Sequence, residues 1–87
     1  MRVHEFAVKR DVDRTALVRI SAQSSQFVSD IKLEYRIEEN VYAIDVKSLL
    51  GMMSLPIKAG TTLRLTTKGK DEEEAMHAVF ELFDKLA

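Results

Sequence analysis

The sequence predicts an α+β fold: one open sheet of four strands with three helices on a single face, in the order β-α-β-β-α-β-α. Three observations predict it. DIKLEYRI (30–37) and TTLRLTT (61–67) alternate apolar and polar residues, the pattern of a strand with one wet face. Met76, Val79, Phe80, Phe83 and Leu86 recur at i, i+3 and i+4, the apolar stripe of a helix. Short polar or glycine-bearing turns separate the segments, with no linker, repeat or low-complexity tract between them.

VHEFAV (3–8) reads as the first strand, with Phe6 and Val8 on one face. KRDVD (9–13) is turn-like. TALVRISAQSSQF (15–27) sets Leu17, Ile20, Ser24 and Phe27 at helical spacing, and Asp13 before it is a good N-cap. Helix propensity is weak here, so packing of the apolar stripe must hold it. In 30–37, Ile31, Leu33, Tyr35 and Ile37 face inward and Lys32, Glu34 and Arg36 outward. Glu38, Glu39 and Asn40 turn the chain into VYAIDV (41–46), a hairpin partner with Ile44 and Val46 inward. A short helix over 48–55 is stopped by Pro56, which disfavours helix at the residue before it. Gly60 leads into 61–67, where Leu63 and Leu65 point in, and Gly69 ends that strand. Asp71 and Glu74 form a capping-box-like D-x-x-E before the last helix. Glu72, Glu73 and Glu74 stand at the positive end of its dipole and Lys85 near the negative end.

The totals narrow the function. A chain of 87 residues makes one domain, 1–87. Its net charge of -1 gives no global pull toward nucleic acid or anionic membrane. There is no cysteine, so disulfides and thiolate metal sites are excluded. His4 and His77 are far apart in sequence, and two lone histidines make a poor metal site. His77 lies off the apolar stripe of the last helix and reads as solvated surface; His4 reads as a sheet-end side chain. No apolar run approaches the roughly 20 residues of a bilayer span, and MRVHEFAVKR lacks a signal-peptide core. The expectation is a cytoplasmic protein with no metal and no cofactor. An RNA-binding domain of the KH type would need a G-X-X-G loop, which is absent. A hydrolase or transferase would need a nucleophile–base pair or a metal set, and neither is visible.

KSLLGMMSL (47–55) is the unusual stretch. Ser48 can cap the short helix. Met52 and Leu55 are i and i+3 and can face the sheet together. Leu49 and Met53 share another side, and Leu50 falls near it. The residues alone leave two readings open. All of them are core, or part of the set stays outside as a partner-docking patch.

DVKSLLGMMSL (45–55) resembles the regulatory-serine segment of the HPr family, the histidine-containing phosphocarriers of the bacterial sugar phosphotransferase system. SSQFVSDIKLEY (24–35) is similar to the family's first-helix end and second strand, and AGTTLRLTTKGKDEEEAM (59–76) to its last strand, turn and last-helix start. The resemblance spans essentially the whole chain. It implies an HPr-like open-faced β-sandwich, a four-stranded antiparallel sheet with three helices on one face.

The family's phosphoacceptor motif, G-[IL]-H-[AT]-R-P-A in type, falls on DVDRTALV (11–18). In the best register Asp13 stands at the histidine's place, Thr15 at the arginine's and Ala16 at the proline's. A register shifted by one restores Arg14 but puts Val12 at the histidine's place. The loop leading in is about two residues shorter than the family pattern. Asp13, Arg14 and Thr15 are therefore the degenerate active-site positions. A carboxylate can form an acyl phosphate, but such sites rely on a metal and a positive partner, and no matching set is evident near Asp13. As a fixed negative charge, Asp13 imitates a phosphohistidine only crudely, with fewer oxygens.

Ser48 matches the family's regulatory serine, with Lys47, Leu49, Gly51 and Leu55 keeping the pattern around it. The resemblance implies phosphorylation of Ser48 by an HPr kinase/phosphorylase. It also implies docking of a catabolite-control transcriptional regulator on Lys47, Leu49, Leu50 and Met53. The chain resembles the histidine-less paralogues called Crh, which implies a regulatory role, neither enzymatic nor that of a phosphoryl carrier. A repurposed scaffold binding a small molecule or an unrelated protein is the alternative, motivated by the altered 9–16 loop and the 36–42 hairpin. Edge strands in a small open sheet also permit swapped dimers.

Overall fold

A computed structural model describes residues 1–54 and 56–86, with the backbone but not the side chain of Ile37. The elements are β1 (Arg2–Ala7), α1 (Arg14–Ser24), β2 (Asp30–Ile37), β3 (Asn40–Asp45), α2 (Leu49–Met53), β4 (Thr62–Lys68) and α3 (Glu72–Leu86). The strands form one sheet in the order β1-β4-β2-β3, antiparallel at each pairing. The sequence-predicted order and architecture hold. The inward expectations for Leu55 and Ile37 lie outside the described residues.

Register follows from alternation, because a one-residue slip would turn every apolar side chain to solvent. Leu33 pairs with both Leu65 and Ile44 across the sheet. Ile31, Leu33, Tyr35, Ile44, Val46, Leu63 and Leu65 are all buried on the helix face. They meet Ala16, Leu17 and Ile20 of α1, Met52 of α2, and Ala75, Val79 and Phe83 of α3 in one core. The other face carries charges, as in the register row Glu5–Arg64–Glu34. Val8 is buried although it lies one residue past β1; its N–H donates to the Thr61 carbonyl at 3.0 Å. Hairpin β2–β3 closes through Glu38 and Glu39, and Glu38 takes a φ of 58°. A two-residue turn that matches strand twist requires that left-handed geometry.

The strands shift by at most a single residue, and the helix ends differ more from expectation. Helix α1 stops at Ser24 rather than running to residue 27. There the N–H groups of Gln26 and Phe27 turn back to Gln23 and Ser24 carbonyls in a tight last turn, and the Ser25 hydroxyl donates to the Ser21 carbonyl. Phe27 still packs against the core. Helix α2 covers only 49–53, with Ser48 and Ser54 as its caps. Asp71 is not a capping-box partner. Its carboxylate accepts from the Val28 N–H at 3.0 Å, the Ser29 N–H at 2.9 Å and the Ser29 hydroxyl. Glu72 instead reaches back to the Gly69 N–H at 3.2 Å.

Candidate functional site

The sequence-predicted positions fall on two neighbouring elements, the start of α1 and the whole of α2. Asp13 caps α1: its backbone is extended (φ -78°, ψ 173°) and its Oδ1 accepts from the Ala16 N–H at 2.8 Å. The side chain therefore satisfies one of the helix's free donors and sits at the positive end of its dipole. Val12 is buried and bridges Ile57, donating its N–H to the Ile57 carbonyl at 2.9 Å. The shifted register would thus put a phosphoacceptor inside the core, which leaves Asp13 as the residue at the helix mouth.

The short loop before α1 is fastened to the 57–61 loop. Asp11 Oδ1 accepts from the Ala59 N–H at 2.8 Å, and the Gly60 N–H donates to the Val8 carbonyl at 2.8 Å. Arg14 and Thr15 are both exposed. Arg14 lines a cleft with Leu17, Met53, Ser54 and Pro56, so the start of α1 and the α2 segment share one surface. Thr15 is not in that cleft.

In α2, Ser48 is the N-cap: its Oγ accepts from the Gly51 N–H at 3.2 Å. A Cβ at Gly51 would come within 3.1 Å of the Ile44 side chain and 3.3 Å of the Ser48 Oγ, so the glycine lets α2 lie close to β3. With Met52 turned wholly inward (0% exposed), residues on the opposite side must face out. Leu50 is 85% exposed, Leu49 41%, and Met53 is half-buried. Lys47 behaves differently from Leu49, Leu50 and Met53, the other residues expected to meet a partner. Its ammonium donates to the Phe27 carbonyl at 2.6 Å, and its own carbonyl accepts from the Ser21 hydroxyl at 3.1 Å.

The two imidazoles lie elsewhere. His4 is mid-strand in β1, an end strand of the sheet, and its ring meets Phe80 edge-on at 4.6 Å. His77 is on the exposed side of α3, paired with Glu81 at 3.4 Å. Both line one surface groove with Arg2, Glu73, Met76 and Phe80. No set of three metal-ligating side chains occurs among the described residues, and no described helix is long and apolar enough to cross a membrane.

Sequence reasoning missed the clamps on the 25–29 turn. The Ser29 hydroxyl, with the Val28 and Ser29 N–H groups, holds the Asp71 carboxyl below the usual aspartate range. Hydrogen bonding from the chain's N-terminal ammonium does the same for Glu72. Lys47 to Phe27 is a bond of the same kind, tying together residues 20 apart in sequence. The one local signal was Gly69, where a Cβ would meet the Ser29 Cα at 2.7 Å. A glycine at a strand end marks such a close approach.

The family model described as PTS HPr component phosphorylation site matches residues 12–85. The chain belongs to the HPr family. HPr-like protein Crh of Halalkalibacterium halodurans is 38% identical to it over 63 residues, covering 72% of this chain and 70% of that protein. Phosphocarrier protein HPr of Cupriavidus necator is 36% identical over 64 residues, covering 74% and 72%. Among solved structures, HPr-C-His from Thermoanaerobacter tengcongensis superposes with a TM-score of 0.82 at 25% identity, covering 98% of this chain and 93% of that one. HPr-family proteins are phosphocarriers or regulators.

Proposed function

We propose that this chain is a regulatory HPr-family protein. It does not relay phosphoryl groups from the mouth of α1, and it acts by docking partners on the α1–α2 surface under control of Ser48. The observation that carries the reading is the state of that mouth. Asp13 occupies it with a carboxylate already bonded to the Ala16 N–H, while His4 and His77 sit on β1 and α3. A neutral imidazole nitrogen attacks and later releases a phosphoryl group readily; a carboxylate is an anion attacking an anion and needs a metal or a paired cation to offset the charge.

The apolar residues beside Ser48 support the docking half. Leu49 and Leu50 project from α2 next to the cleft that holds Arg14 and Met53. Modification transfers the γ-phosphoryl group of ATP to Ser48 Oγ; the hydroxyl proton passes to the kinase and ADP leaves. The partners this implies are an HPr kinase/phosphorylase and a catabolite-control regulator, in the cytoplasm. The chain is then a substrate and an adaptor, not an enzyme.

The test is a pair of labelling reactions. Enzyme I with phosphoenolpyruvate leaves the protein unlabelled, and HPr kinase with ATP labels Ser48 alone. Label from phosphoenolpyruvate on Asp13, His4 or His77 overturns the first half. An unlabelled Ser48 with active kinase overturns the second and favours a repurposed binding module on the same scaffold.

A further inference from the structure

One peptide group in the α1–β2 turn is gripped by opposite charges at its two ends. The carbonyl of Phe27 accepts from the Lys47 ammonium at 2.6 Å, and the N–H of Val28, in the same peptide plane, donates to Asp71 at 3.0 Å. A cation at the oxygen polarises the group and strengthens its N–H as a donor, so the two bonds reinforce each other. The Asp71 carboxylate also takes the Ser29 N–H at 2.9 Å, just before α3. A chain of contacts thus runs from Lys47, beside Ser48, through Phe27 and Val28 to the start of α3.

The Lys47 ammonium is held by a neutral carbonyl, and no carboxylate pairs with it among the described residues. A new anion beside it would therefore have no carboxylate to displace. A phosphoserine carries about -1.5 to -2 charge at neutral pH and three strong acceptor oxygens, so it attracts the ammonium with full charge where the carbonyl offers only a dipole. Ser48 is the next residue, within the sweep of a lysine side chain. The Lys47 backbone stays fixed meanwhile, because its carbonyl is bonded to the Ser21 hydroxyl.

We propose that Lys47 is a relay for the Ser48 switch rather than a contact on the docking surface. In the resting state it fixes the Phe27–Val28 peptide. When the γ-phosphoryl group of a nucleoside triphosphate has been transferred to Ser48 Oγ, the ammonium moves to the phosphate and the 25–29 turn loosens. Val28, which is 74% exposed, then reports a change made at Ser48. The inference rests on the reading of Ser48 as a modification site.

The test is NMR of the 15N-labelled full chain with phosphoserine incorporated at position 48 during translation, so that no kinase is needed. The phosphorylated protein shifts the Val28 amide resonance, and exchange of the Val28 and Ser29 amides rises roughly tenfold, the scale of one bond to a charged group. In Lys47→Met the unmodified protein already shows the shifted Val28 resonance, and phosphate moves it no further; Lys47→Arg keeps the response. A merely structural lysine would shift Val28 on mutation without removing its response to phosphate. The proposal is overturned if phosphate leaves Val28 and Ser29 unmoved in the parent chain, or moves them equally in K47M. If the kinase ignores Ser48 while incorporated phosphoserine still moves Val28, the relay stands and the assignment of the kinase falls.

Discussion

Leu50 and Met52 lie two residues apart in the same five-residue helix, and alanine at each separates docking from folding. Met52 is 0% exposed and packs in the core; Leu50 is 85% exposed. Emptying a buried methionine to alanine costs about 2–5 kcal/mol, from lost transfer energy plus the cavity left behind. A domain of 87 residues has about 4–13 kcal/mol of stability in total. Met52→Ala therefore removes a large share and lowers Tm by on the order of 10 °C or more. Leu50→Ala touches almost no neighbours and stays within about 0.5 kcal/mol of the parent. Its effect belongs to binding: covering that side chain is worth about 1.5 kcal/mol or more, so L50A raises the KM for phosphorylation of Ser48 roughly tenfold. Urea and thermal unfolding followed by circular dichroism read the first pair of numbers, and kinase titrations the second. Equal destabilisation by the two substitutions would put Leu50 in the core and end the docking argument.

Three further outcomes follow from the geometry. Asp13→Ala loses about 1 kcal/mol of stability, while Asp13→Asn, which keeps an acceptor for the Ala16 N–H, stays within a few tenths; equal losses in both variants, by urea unfolding, would show that charge rather than capping is what matters. Gly69→Ala loses more than about 1 kcal/mol, because the residue has a φ of 150° and a Cβ there meets Ser29; an unchanged melting curve would show that the β4–α3 turn yields freely. Asp71 has its pKa lowered by the Ser29 hydroxyl first, then by the Val28 and Ser29 amides. Its contribution is therefore complete above the unfolded value of about 3.9 and fades as pH falls through the lower folded value. Denaturation midpoints should drop on acidification through that range, and less so in Asp71→Asn; identical acid slopes would remove Asp71 from the account.

The fold was legible wherever a repeat of two or of three to four residues controls burial. In 30–37 and 61–67 every inward position whose side chain is described is buried, and the stripe Met76–Val79–Phe80–Phe83–Leu86 packs on the core. Capping by Asp13 and Ser48 was legible too, since an N-cap needs only a short acceptor at the right place. The end of α1 was not. Phe27 is apolar at helical spacing, but the Phe27–Ser29 backbone is held by Lys47 and Asp71 from elsewhere in the chain. Tertiary bonds set that boundary, and local propensity does not report them. The same blindness applies to the site. Exposure of Leu50 could be weighed only as one of two readings until the side taken by Met52 was known.

The side taken by Met52 also explains why Leu50 is informative. Residues two apart on a helix point about 200° from each other, so burying one exposes the other. Folding therefore asks for an apolar residue at 52 and asks nothing of 50, where a polar side chain would serve as well. A leucine there, with Leu49 half out beside it, next to a serine and a cleft lined by Arg14 and Met53, is surface the fold does not use. Ala16 and Leu17 anchor α1 in the core beside it. A phosphoryl relay needs one nitrogen at a helix mouth, whereas the outer face of α2 is fixed by which side the sheet buries, so the two are separable in this scaffold.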